Sequence, residues 1–326
     1  MTVLLGVSAY VPRSRIAAST IAEAWDGFRA RGVEEKRVAG ADEDTVTMAV
    51  AAAQRAIADA DVDRAAIGTL ALGTTTPPVD EGDVGVTVSE ILGLEASVDV
   101  RTATQSTRAG TRALRTAVES TGTAVAVASD APLGAPDDAV DHAAGAGAVA
   151  VVAGDGEVPT DSVEGDRPTV TGTATYGREY PGTRFRRRGA ETVETYGAAA
   201  YEREAYTSTL AGAYAALSDP PTDVAPTAPD GSLPGRAGRA IDGATVHHLA
   251  DELGDTGAAS PLFGLLAAWE AGADSVAVLG YGDGAGVDAV AIEGTRSVEW
   301  RRPASDLTYA EYLRTRGHVL PSGGDR

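Results

Sequence analysis

Residues 258–294, AASPLFGLLAAWEAGADSVAVLGYGDGAGVDAVAIEG, decide the fold. Small and apolar residues over 258–271 predict a helix. The apolar run SVAVLGYG (275–282) predicts a strand, and VDAVAIEG (287–294) a second one beyond the loop GYGDGAG (280–286). The same order occurs earlier in the chain. A small-residue helix over 107–119 leads into the strand TAVAVAS (123–129), and a loop leads on to GAVAVVA (147–153). Two similar halves, 1–165 and 166–326, are expected to form one compact unit with a site between them.

Working outward, TVLLGVS (2–8) reads as a strand. DEDTVTMAVAAAQRAIADA (42–60) reads as a helix with acids near its N-terminus. Strands are expected at 67–74, 96–100, 167–175 and 244–248, and helices at 84–92 and 198–217. DPPTDVAPTAPDGSLPG (219–235) reads as an ordered turn segment or a domain linker. Strands alternating with helices imply an α/β protein with buried sheets.

The chain has 326 residues, 47 acidic against 27 Lys plus Arg, and a formal charge of −20. This balance argues against nucleic acid as a partner, because a phosphate backbone needs a basic face. Cysteine is absent, which excludes disulfides, a thiolate nucleophile, cysteine-ligated zinc and iron–sulfur clusters. Lys36 is the single lysine, asparagine is absent, and the carboxylates are dispersed rather than gathered in blocks. That pattern suggests a surface adapted to molar salt, where the Debye length falls to roughly 3 Å. The first residues show no basic stretch followed by a long apolar run, and no apolar stretch is long enough to span a bilayer. No signal peptide, no membrane association and a cytoplasmic location are expected.

GVSAYVPRSRI (6–16), EEKRVAGADEDTVTMAVAAAQRAI (34–57), SDAPLGAPDDAVDHAAGAGAVAVV (129–152), GDTGAASPLFGLLAAWEAGADSVAVLGYGDGAGVDAVAI (254–292) and LTYAEYLRTRGHV (307–319) occur in this order. Together they resemble the archaeal type of hydroxymethylglutaryl-CoA synthase, and the resemblance covers nearly the whole chain. It implies a thiolase-like α/β fold of two related βαβαβ-type halves, with stacked sheets and buried central helices. It also implies a homodimer, or a hetero-complex with a thiolase and a small zinc-ribbon/OB-fold protein.

The family's chemistry uses a cysteine nucleophile, a glutamate base, a histidine and an asparagine. Carried over one position at a time, the resemblance places Thr107 at the cysteine position and Thr75 at the glutamate position. Thr227 stands at the histidine position and Asp255 at the asparagine position. No catalytic residue is expected. A threonine hydroxyl is a poor nucleophile without a base, and a carboxylate opposes a developing oxyanion. The resemblance thus implies a non-catalytic relative acting as an acyl-CoA-binding, scaffold or regulatory subunit. The alternative is an acyltransferase or hydrolase of altered mechanism, without an acyl-cysteine, using His247, His248 or Asp255 as base.

Gly282, Gly284 and Gly286 read either as a ligand-cradling wall or as a plain turn. RFRRRG (184–189), with Arg187 at its centre, reads either as a contact for coenzyme A phosphates or as a solvated loop of ion pairs. The four histidines show no metal-ligand spacing with carboxylates, so no metal and no cofactor beyond a coenzyme A thioester ligand are expected.

Overall fold

The computed structural model describes residues 1–156, 167–196 and 199–319. Its main sheet has ten strands. In chain order these are β1 (Thr2–Tyr10), β2 (Ile67–Gly73), β3 (Asp99–Ala103), β4 (Thr123–Asp130), β5 (Gly147–Asp155), β6 (Thr169–Gly177), β7 (Asp223–Pro226), β8 (Thr245–Val246), β9 (Ser275–Gly282) and β10 (Gly286–Glu293). Their spatial order is β3-β2-β4-β5-β1-β6-β10-β9-β7-β8. Six helices pack on it: α1 (Thr45–Ala60), α2 (Val84–Leu92), α3 (Ala109–Glu119), α4 (Ala199–Ala215), α5 (Pro234–Ala240) and α6 (Ser260–Glu270).

The chain writes the same order twice. β1-α1-β2-α2-β3-α3-β4-β5 is followed by β6-α4-β7-α5-β8-α6-β9-β10. The pairing senses also repeat. In the first half β1–β5 and β5–β4 are antiparallel, while β4–β2 and β2–β3 are parallel. In the second half β6–β10 and β10–β9 are antiparallel, while β9–β7 and β7–β8 are parallel. The expected seam between residues 165 and 166 lies outside the described residues.

α3 packs on β2 and β4 of the first half and on β9 and β10 of the second, and it meets α6, which covers β7 and β9. The half-sheets therefore face each other across two central helices. They are also joined edge to edge, by Thr2 opposite Val170 and Val3 opposite Thr169, so the hydrogen bonding runs through all ten strands. Leu114 and Val118 of α3 share one buried core with Phe263 and Leu266 of α6 and with residues of both half-sheets. On the outer faces, α1 lies on β1, β4 and β5, and α4 lies on β6, β9 and β10. Asp44 starts α1 with a capping box: its carboxylate accepts from the Thr47 amide, 2.7 Å, and the Thr47 hydroxyl accepts from the Asp44 amide.

Two predicted elements moved. The strand expected at 96–100 forms at Asp99–Ala103. It is an edge strand with little burial on either face, so it shows no apolar run. The segment expected as turn or linker at 219–235 contains β7, four residues long, and opens α5 at Pro234.

Candidate active site and ligand cleft

The ends of the parallel strands and the start of α3 converge, as the C-terminal edges of α/β sheets often do around a ligand. Thr74, Thr75 and Thr76 follow β2, Asp130 ends β4, Thr227 follows β7, and Tyr281 lies near the end of β9.

Asp130 is fully buried and accepts six hydrogen bonds. They come from the hydroxyls of Thr74, Thr75 and Thr76, the amides of Thr75 and Thr76, and the Ala258 amide at 2.7 Å. Burial pushes its pKa up from the ordinary carboxylate range, against the hydrogen bonds that pull it down. Thr75, expected from the sequence at the family's glutamate position, is thus committed to Asp130 through both its amide (2.7 Å) and its hydroxyl (2.8 Å).

Thr107 and Thr227 meet on the main chain of Tyr281. The Thr107 hydroxyl donates to the Tyr281 carbonyl at 2.7 Å. The Thr227 hydroxyl accepts from the Tyr281 amide at 2.9 Å and contacts the same carbonyl at 3.3 Å. Among the described residues no carboxylate or imidazole lies in hydrogen-bond reach of the Thr107 hydroxyl. Asp255 is 2% exposed. It accepts from Arg184 Nη1 at 2.7 Å and from the Gly257 amide at 2.9 Å. Arg186 donates to the Thr75 carbonyl at 3.1 Å, so the segment 184–186 spans the site.

Several singled-out residues sit elsewhere. Arg187 has a 63% exposed side chain, pairs with Glu194 at 3.2 Å and packs on Phe185. From the basic run it is Arg184 and Arg186 that reach the site. His247 bonds Asp223 at 2.7 Å, His248 accepts from the Ala250 amide, and neither touches Thr107 or Asp255. Gly282, Gly284 and Gly286 line a cleft of about 410 Å³ with Ser106, Arg108 and Arg112. A methyl group on Gly286 would stand 2.0 Å from Arg108 Nη1 and one on Gly282 1.9 Å from Ser106 Oγ, so either would have to displace that side-chain end.

A second cleft of about 340 Å³ shares none of those residues. It ends on Arg184 and Asp255, and Arg29, Arg31, Arg203 and Arg236 line it as well. Among the described residues none of these last four guanidinium groups forms an ion pair with a carboxylate. Four such arginines stand around one cleft in a chain of charge −20, with Glu202 and Asp230 also in its lining. The arginines are scattered over more than 200 positions, and no spacing in the sequence could have joined them. Among the described residues no cluster of three or more metal-ligating side chains occurs, and no helix is long and apolar enough to cross a membrane.

The backbone superposes on an MvaS in complex with 3-hydroxy-3-methylglutaryl coenzyme A with a TM-score of 0.79 at 22% identity, over 100% of this chain and 93% of the other. It also superposes on a 3-oxoacyl-(acyl carrier protein) synthase III from Pseudomonas aeruginosa with a TM-score of 0.75 at 17% identity, over 90% and 98%. The fold is therefore of the thiolase type. No protein-family model matches the chain. Against hydroxymethylglutaryl-CoA synthase of Aeropyrum pernix it is 30% identical over 350 residues, spanning 97% of this chain and 94% of the relative. Against that of Methanopyrus kandleri the identity is 29% over 340 residues, with the same 97% and 94%. The chain belongs to the hydroxymethylglutaryl-CoA synthase family.

Proposed function

We propose that this chain is a family member that retains a coenzyme A-binding cleft and has lost acyl-transfer chemistry. The observation that carries this is the arginine cleft lined also by the Arg184–Asp255 ion pair, its four further guanidinium groups forming no carboxylate ion pair among the described residues. Coenzyme A bears a diphosphate and a further phosphate, and such a ligand suits arginines better than lysines because a guanidinium forks onto phosphate oxygens.

The neighbouring groups support the loss of chemistry. The chain has no cysteine, and the hydroxyl at Thr107 meets only a main-chain carbonyl. A threonine needs a base to become a nucleophile. The direct-transfer alternative needs a free base, and its candidate Asp255 is held by Arg184. The task left is acyl-CoA binding within an assembly, as a homodimer or beside a thiolase and a small zinc-ribbon/OB-fold protein.

The test has two arms, both in molar KCl. Calorimetric titration is expected to show coenzyme A binding, weakened at least about tenfold by Arg203→Ala together with Arg236→Ala, since each charge-assisted contact contributes about 1.5–3 kcal/mol. Release of free coenzyme A from acetyl-CoA plus acetoacetyl-CoA is expected to stay at the blank, for the wild type and for Thr107→Ala alike. Turnover that vanishes with Thr107→Ala would overturn the non-catalytic reading.

A further inference from the structure

The cleft is electrically two-ended. Arg29 and Arg31 stand exposed at its rim and Arg203 and Arg236 are half-buried along its walls. At the floor the sign reverses. Arg184 is the one cation there, and Asp255, Asp130 and Asp283 all act on it electrostatically. Its Nη1 is bonded to Asp255 and its main-chain amide to the Asp283 carboxylate. Glu202 lines the same cleft, and burial, then Asp283 and Asp230, push its carboxyl pKa up.

A coenzyme A thioester entering this cleft has one favourable orientation. Its phosphates match the rim and wall arginines, which sends the acyl end toward the floor. There an added carboxylate would face Asp255 and Glu202, which line the cleft, and beside the protein's low-dielectric wall like charges repel more strongly than in bulk water. The single guanidinium is already engaged by Asp255.

Resting on the coenzyme A reading above, we infer that the floor selects thioesters with a neutral acyl chain and rejects those carrying an acyl carboxylate, with Asp255 as the specificity-determining residue. Arg184 acts through Asp255, holding its carboxylate in place rather than receiving a ligand. The 3-hydroxy-3-methylglutaryl coenzyme A held by the similar MvaS belongs to the rejected class.

The experiment compares coenzyme A, butyryl-CoA and succinyl-CoA by equilibrium dialysis at one fixed KCl concentration. Butyryl-CoA is expected to bind at least about tenfold more tightly than succinyl-CoA, a modest fraction of what one like-charge contact costs at intermediate dielectric. Asp255→Asn should narrow that ratio, improving succinyl-CoA more than butyryl-CoA. Glu202→Gln, which leaves the Arg184–Asp255 pair intact, should narrow it in the same direction should the first variant misfold. Succinyl-CoA binding as tightly as butyryl-CoA would overturn the inference while leaving coenzyme A binding in place. So would a ratio that neither variant moves. Failure of all three ligands to bind would overturn the coenzyme A reading and this inference with it.

Discussion

Lys36, the single lysine, is 1% exposed. Its ammonium donates to the Asp141 carbonyl and to the Tyr312 hydroxyl, 2.8 Å, and lies 3.9 Å from the Asp141 carboxylate. That carboxylate, 0% exposed, also takes the Tyr312 hydroxyl and Arg316 Nη2 at 3.3 Å. The cluster ties the helix Tyr309–Thr315 to the body of the fold. Burial draws the lysine pKa down to about 7. Burial alone would raise the Asp141 pKa, but His318, Lys36 and Arg316 outweigh it and hold that group well below the ordinary range. Asp141→Asn leaves buried cations uncompensated and is expected to cost about 3–5 kcal/mol in denaturant unfolding. The signs of the two titrations differ. Asp141 contributes stability above the ordinary carboxylate pKa of about 4 that fades as the medium is acidified below it. Lys36 is less readily charged when folded, so between about pH 7 and 10 its contribution grows as pH rises; Lys36→Met should flatten that rise in unfolding curves measured at pH 7 and 9.5. The sequence marked Lys36 as unusual by count alone. Its burial comes from Tyr312 and Asp141, 276 and 105 positions away, and no local pattern carries that.

At the scale of the element, α3 is the piece on which both halves depend. A methyl group on Gly110 would meet the Ala258 carbonyl at 2.0 Å and the Ala128 Cβ at 2.7 Å, so the helix can lie against the 257–259 turn only with glycine there. Gly110→Ala is expected to destabilise by about 1–3 kcal/mol, the usual cost of overpacking. Leu114→Ala, at 0% exposure in the shared core, is expected to cost about 2–5 kcal/mol. Chemical denaturation reads both. The elements legible in the sequence were those with a burial signal: the expected ranges Val84–Leu92 and Ser275–Gly282 match the structure residue for residue. β3 was displaced because its exposed sequence DVRTA offers no such signal, and β7 was hidden among prolines. The family resemblance singles out Thr107 and Thr227 one by one. That both would close on the Tyr281 backbone was not legible, because it follows from where β7 and β9 end.

For the whole molecule, the formal charge of −20 opposes compaction at low ionic strength. Exposed pairs such as Arg101–Asp99, with both side chains more than half exposed, offset little of it, about 0–1 kcal/mol apiece. The melting temperature is therefore expected to rise steadily from 0.1 M to 2 M KCl, with most of the gain complete once the screening length is near 3 Å. A melting temperature that is flat or falling over that range would contradict a salt-adapted surface. The single buried lysine has a further consequence, for chemical labelling. No side-chain amine is displayed on the folded surface, because the chain's one ε-amino group lies beneath Tyr312. An acylating reagent added to the native protein can reach Lys36 only through molecules that have opened around it. The rate of mass gain at that residue thus counts openings directly, and the chain carries its own clock for the docking of its final helix.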